Sequence, residues 1–111
     1  MKWEICYYSE AVQAELMELP AGLQARYLRL ADRLELHGPN LGMPHTKMLR
    51  DGLFELRLKS KEGIGRVFCC AVIGCRIVIL HSFVKKTQKT PANELNVALK
   101  RMKEVKDHAD S

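Results

Sequence analysis

Two arginines, a run of lysines and two histidines carry the chemistry this sequence offers. In Leu53-Phe54-Glu55-Leu56-Arg57-Leu58-Lys59, the apolar Phe54, Leu56 and Leu58 alternate with Glu55, Arg57 and Lys59. That period of two marks a half-buried strand. Lys61-Glu62-Gly63 reads as a hairpin turn, and a second strand runs from Gly65 to Ile73. Antiparallel pairing across the turn sets Arg57 opposite Arg66, on one face with Glu55, Lys59 and Phe68. Opposed like charges destabilise a sheet, so facing arginines point to an anion held between them. The plainer alternative is two solvated arginines, each paired with Glu55 or Glu62, and a slip of one residue in register would separate the pair.

The second feature is Phe83-Val84-Lys85-Lys86-Thr87-Gln88-Lys89-Thr90-Pro91. Lys85, Lys86 and Lys89 concentrate positive charge at a strand end, and Phe83 adds a stacking surface for a base. Thr90-Pro91 opens a helix whose N-terminal N–H groups favour a phosphate. A solvated lysine loop with Phe83 in the core fits the same text. His81, expected on one strand face with Ile79 and Phe83, and His45, in the loop before the hairpin, are the side chains whose protonation suits proton transfer. Each also reads as a structural histidine.

No Cys–His or Ser–His–Asp grouping, phosphate-cradling glycine loop or carboxylate cluster for a metal accompanies these residues. The expected nucleic-acid chemistry therefore uses neither cofactor nor metal. RNA can be cut by its own 2′-OH attacking the adjacent phosphate. A protein assists by taking that proton, neutralising the phosphorane and protonating the 5′ oxygen. Arginine and lysine suffice for the middle task. Arg57 and Arg66 are the candidates for the phosphate, Lys59, Phe83, Lys85 and Lys89 for holding RNA, and a histidine or a lysine of lowered pKa for the proton.

The elements that must position these groups follow from the rest of the chain. Lys2 to Tyr8 alternates as a strand. Ser9 is an N-cap for a helix carrying Val12, Leu16 and Leu19, which Pro20 and Gly22 interrupt. Leu23, Tyr27, Leu30 and Leu34 mark a second helix, with Arg26, Arg29 and Arg33 off its apolar stripe, ending at His37-Gly38-Pro39-Asn40. Leu41 to Thr46 reads as loop. Arg76 to Val84 is a third strand of the hairpin region, and Leu95, Leu99, Met102 and Val105 stripe a last helix beginning at Pro91. The order β-α-α-β-β-β-α implies an α+β fold, with a helical hairpin and a C-terminal helix covering one face of a mostly antiparallel twisted sheet.

Bulk composition agrees. A chain of 111 residues is one domain's worth, expected to span residues 1–111. The net charge of +5 is unevenly spread: residues 1–44 hold four Lys/Arg and six Asp/Glu, residues 45–106 fourteen and five, and the last five residues two acids. The basic two-thirds has the footprint of a phosphate-backbone binder, though a merely soluble basic surface fits composition alone. There is no apolar run near 18 residues and no signal-like N-terminus, so a cytoplasmic location without membrane contact is expected. Cys6, Cys69, Cys70 and Cys75 lack paired metal spacing and read as free, mostly core, thiols.

The stretches Leu53-Phe54-Glu55-Leu56-Arg57, Gly65-Arg66-Val67-Phe68 and Ile79 to Pro91 resemble the RelE/ParE toxin superfamily, within it the HigB-like, phage-derived subgroup. The resemblance covers nearly the whole chain. It implies the toxin of a type II toxin–antitoxin system: a ribosome-dependent messenger-RNA endonuclease that inhibits translation. Its implied partners are the ribosome, messenger RNA and a cognate antitoxin of helix-turn-helix type. Arg57 and Arg66 match the family's basic strand residues. Lys86 matches a basic catalytic residue after the last strand, with Lys85 beside it. A tyrosine that some members carry near the C-terminus has no match in Thr90-Pro91-Ala92, which leaves proton transfer to His81, Lys85 or Lys86. The ParE branch shares the fold but acts on DNA gyrase, and a non-catalytic basic nucleic-acid-binding domain is the third reading. The sequence further predicts that Arg66→Ala abolishes toxicity with little loss of folding.

Overall fold

The computed structural model describes residues 2–85 and 89–109, and Lys86 lies outside them. The elements are β1 (Glu4–Tyr7), α1 (Glu10–Met17), α2 (Ala21–His37), β2 (Thr46–Met48), β3 (Leu53–Ser60), β4 (Gly63–Val72), β5 (Arg76–Lys85) and α3 (Ala92–Ala109). One sheet of order β1-β5-β4-β3-β2 contains every strand. β1 runs parallel to β5 and the other pairings are antiparallel. The α+β class and element order are those expected, with β2 added as a short edge strand against β3. Its three residues, Thr46 to Met48, are too few to show a period.

Local chemistry explains the boundaries. Ser9 Oγ accepts the Val12 N–H at 3.2 Å and caps α1. The Pro20 carbonyl accepts from Leu23 and Gln24 and so starts α2. The Pro91 carbonyl does the same for Glu94 and Leu95, which places Pro91 at the cap of α3, one residue earlier in the helix frame than expected. Gly38 ends α2 at φ +78°, and a Cβ there would come within 2.6 Å of Trp3 Nε1. Gly38→Ala is therefore expected to lower stability by about 1–3 kcal/mol, read by urea denaturation, through both strain and the displaced indole.

The helices do not share one face, as the sequence led us to expect. α1 and α2 cover a core of Phe54, Leu56, Leu58, Val67, Cys69, Ile77 and Ile79. α3 covers the opposite face, over Leu53, Phe68, Cys70, Val78 and Leu80. The reason lies in β4: Val67-Phe68-Cys69-Cys70 is a continuous apolar run, so both of its faces need cover. Fully burying the side chains of both faces is worth about 1.5–3 kcal/mol per large residue. Cys69 and Cys70 belong to these cores, as expected, while Cys6 and Cys75 are half-buried.

A register shift between Phe68 and Cys69 alters one further expectation. Phe68 pairs with His81 but Cys69 with Ile79, so Leu80 is an extra residue in β5. Ile79 turns toward α1 and α2 while His81 stays on the α3 face. His81 and Phe83 thus share a face as expected, and Ile79 does not. Among the described residues no helix is long and apolar enough to cross a membrane.

Candidate active site

The β3–β4 hairpin closes through Lys61-Glu62 between the paired Ser60 and Gly63, which puts Arg57 opposite Arg66. Continuing across β5 and β2 gives three rows on one face. They are Lys59–Ile64–Lys85, Arg57–Arg66–Phe83 and Lys47–Glu55–Phe68–His81. Charge dominates toward the turn, and apolar residues take over where α3 lies on the sheet.

The arginines differ in setting. Arg57 keeps 31% of its side chain exposed, whereas Arg66 is 5% exposed as a residue and Glu55 4%. Glu55 Oε1 lies 3.8 Å from Arg57 Nε and 3.7 Å from Arg66 Nε. Arg66 Nη1 also donates to the Gly65 carbonyl at 3.0 Å. Burial lowers the Arg66 pKa, with Arg57 adding to the effect and Glu55 opposing it. Lys85 is lowered too, first by burial, then by Arg66, with smaller like-charge contributions from Arg57 and Lys47 and an opposing one from Glu55.

A cleft of about 450 Å³ opens over this end of the sheet. Arg57, Lys59, Arg66 and Lys85 line its sheet side, Arg26 of α2 its flank, and Pro44 and His45 its rim. Arg26 Nε is held at 3.4 Å from the Lys59 carbonyl. The rim loop is pinned by buried Thr46, whose Oγ1 accepts the Gly42 N–H at 2.9 Å, and the His45 carbonyl accepts the Arg57 N–H at 2.9 Å. His45 Nε2 lies 3.1 Å from Arg33 Nη1. A guanidinium only donates, so in this contact the ring nitrogen is the acceptor.

Of the residues proposed from sequence, Arg57, Arg66, Lys59 and Lys85 come together in this cleft. His81 does not: its Nε2 lies 3.2 Å from Glu94 Oε2 of α3, and its ring stacks on Phe83 at 6.1 Å. Phe83 is half-buried against Phe68 at 5.6 Å, which commits much of its ring to the α3-side core rather than to a base. Lys89 is exposed just before α3. Arg26 lines the cleft without having been proposed as a site residue, and Lys47 joins Glu55, already placed on this face from sequence, in the adjoining row of the sheet. The off-stripe position of Arg26 on α2 was its only local signal. A larger cavity, about 600 Å³, lies between β1 and the end of α3. Its Arg76 and Glu104 are of opposite sign, so it offers no cation cluster.

The model of the family described as phage-derived protein Gp49-like matches residues 14–103, from α1 through most of α3. The chain belongs to the Gp49-like family. Every cleft residue of this Gp49-like chain falls within the matched span. Among solved structures it is similar to a free-state mutant of the E. coli toxin RelE, with TM-score 0.68 and 11% identity over 92% of this chain and 99% of that one. It is also similar to a chain of an archaeal RelE–RelB complex from Pyrococcus horikoshii, with TM-score 0.58 and 21% identity over 78% and 98%. These likenesses establish the RelE fold. Among curated proteins there is no match.

Proposed function

We propose that this Gp49-like chain is the toxin of a toxin–antitoxin pair and cuts messenger RNA on the ribosome without a metal. The observation that carries the reading is the cleft itself, where Arg26, Arg57, Lys59, Arg66 and Lys85 surround a space of about 450 Å³. Such a density of like charge is costly unless a polyanion enters it. The likeness to RelE, and to a chain of a RelE–RelB complex, supports a toxin role and an antitoxin partner. The helix-turn-helix type of that antitoxin remains an expectation of the sequence resemblance.

In this mechanism the 2′ oxygen attacks phosphorus and loses its proton. The phosphorane's charge is neutralised by Arg57 and Arg66, and the 5′ oxygen leaves with a proton relayed from solvent by the His45 imidazole, giving a 2′,3′-cyclic phosphate. Lys59, Arg26 and Lys89 hold the strand through phosphates. Lys85 takes the 2′ proton, because its surroundings favour the neutral amine more than in an ordinary lysine. His45, at the rim, replaces His81 as the imidazole of the site. Lys86 keeps the role of a further basic group that the resemblance gave it.

A pair of substitutions separates the histidines. His45→Ala is expected to slow cleavage about 100-fold, and His81→Gln to leave it within about threefold, since only the first removes a proton-carrying group from the cleft. Cleavage of a ribosome-bound message by purified protein, followed by primer extension, reads both. The opposite order would return the proton work to His81.

A further inference from the structure

We propose that Glu55 is a positioning residue of the cleft, its buried carboxylate anchoring the inner nitrogens of Arg57 and Arg66 so that their outer nitrogens face an entering phosphate. The inference rests on the phosphate-cleaving reading above and adds to it a residue which that mechanism leaves unused.

Glu55 occupies a place where packing alone calls for an apolar side chain. It follows buried Leu53 on the same strand face and lies opposite buried Phe68. Among the described residues Glu55 Oε2 and Arg66 Nε make no hydrogen bond although both are buried. Ion pairs at 3.7 and 3.8 Å without hydrogen bonds repay desolvation poorly, and apolar replacements of such buried pairs are often neutral or stabilising. The fold would therefore lose little if the whole charged group were exchanged for apolar residues.

The geometry shows what the carboxylate does instead. Arg66 is held by one hydrogen bond, from Nη1 to the Gly65 carbonyl at 3.0 Å, while its Nε lies 3.7 Å from Glu55 Oε1 in an ion pair that biases the guanidinium toward that side. Arg57, two residues along β3 from Glu55, comes within 3.8 Å of the same carboxylate oxygen. One carboxylate oxygen is thus shared by two guanidinium groups, drawing both toward it, and oriented donors assist phosphoryl chemistry far more than mobile ones. The same negative charge stands in the cluster that faces Lys85. Arg66 faces it from β4, Arg57 and Glu55 from β3, and Lys47 from β2, with Arg26 of α2 and the loop's His45 on the same cleft. Among these Glu55 is the one acid.

The test is Glu55→Gln in the full chain, which keeps shape and removes charge. Three readings are taken: thermal melting, the Lys85 protonation midpoint by side-chain NMR, and cleavage of a ribosome-bound message across pH. We expect a protein that melts lower, because Arg66 is left buried without its counter-charge, but is folded at the assay temperature, with a Lys85 midpoint about one pH unit lower because the attraction that held the ammonium is gone. The high-pH plateau of cleavage should fall at least about tenfold while the apparent KM for the ribosomal complex stays within about twofold. An unchanged midpoint with an unchanged plateau overturns the proposal. Should Glu55→Gln unfold, Glu55→Asp retains the charge and shortens its reach. A wild-type midpoint with a lowered plateau supports the positioning role, and a full plateau overturns it. The NMR midpoint and the titration of Arg57 and Arg66 side-chain signals with inorganic phosphate need no RNA. They therefore decide Glu55 even if the wild-type protein proves not to cut messenger RNA, an outcome that would sink the functional reading separately.

Discussion

Arg66→Lys is expected to retain the fold and lose cleavage by about 100- to 1,000-fold, the cost typical of removing one oriented donor from a developing oxyanion. Lysine keeps the charge but is a point donor on a flexible stem. It cannot at once face Glu55, bond the Gly65 carbonyl at 3.0 Å and present a planar edge to phosphate. Arg66→Ala is a poorer test than the sequence suggested. Arg66 is 5% exposed and partners a carboxylate that is itself 4% exposed, so truncation strands a buried charge. Removing one partner of a buried pair typically costs about 3–5 kcal/mol, a fall in melting temperature of roughly 10 °C or more for a chain of this size. The expectation of little folding loss is thereby revised. A comparison of melting curves and cleavage rates for Arg66→Lys and Arg66→Ala separates the two effects. A folded Arg66→Lys protein with wild-type activity would remove Arg66 from the site.

The second large effect concerns Lys85. If it accepts the 2′ proton, only its neutral form works, and cleavage should rise about tenfold per pH unit up to its midpoint and then level off. That midpoint lies below an ordinary lysine's, because burial and the neighbouring Arg66 and Arg57 all disfavour the ammonium. The direction follows from the sign: a group whose pKa is lowered is more often neutral at a given pH, so activity extends to lower pH than an unperturbed lysine would allow. Lys85→Arg holds its proton throughout and should lower cleavage by about 100- to 1,000-fold, with no rise across pH 6 to 9. Lys85→Arg with wild-type rate and profile would assign Lys85 to RNA holding alone.

How much of this was legible in the sequence depends on the range of the interaction concerned. The clean alternation around Arg57 and the turn at Lys61-Glu62 fixed the Arg57–Arg66 pairing, because a period of two and a short turn leave one register. The α+β class and the boundaries near Ser9, Pro20 and Gly38 rested on equally local signals. The extra residue at Leu80 was not legible: nothing in Ile79-Leu80-His81 distinguishes a bulge from a continuous strand, and it moves Ile79 to the other core. The side taken by α3 was also hidden, although the unbroken apolar run of β4 asked for cover on both faces. His45 and Arg26 reach the cleft through contacts distant in sequence, Arg26 at 3.4 Å from the Lys59 carbonyl. Local pattern showed only that Arg26 avoids the core and that His45 sits in a loop, and not that they reach the cleft. Glu55 looked like one member of a solvated face, and only its 4% exposure shows that it lies beneath the arginines.

The most direct measurement of the central claim is primer extension on a translated message after induction of the wild-type chain and of Arg66→Lys in growing cells. Growth arrest with new 5′ ends inside the translated codons is expected for the wild type, and neither for Arg66→Lys. Intact message with continued protein synthesis would contradict it, as would intact message accompanied by DNA damage, the outcome expected of a gyrase-directed toxin.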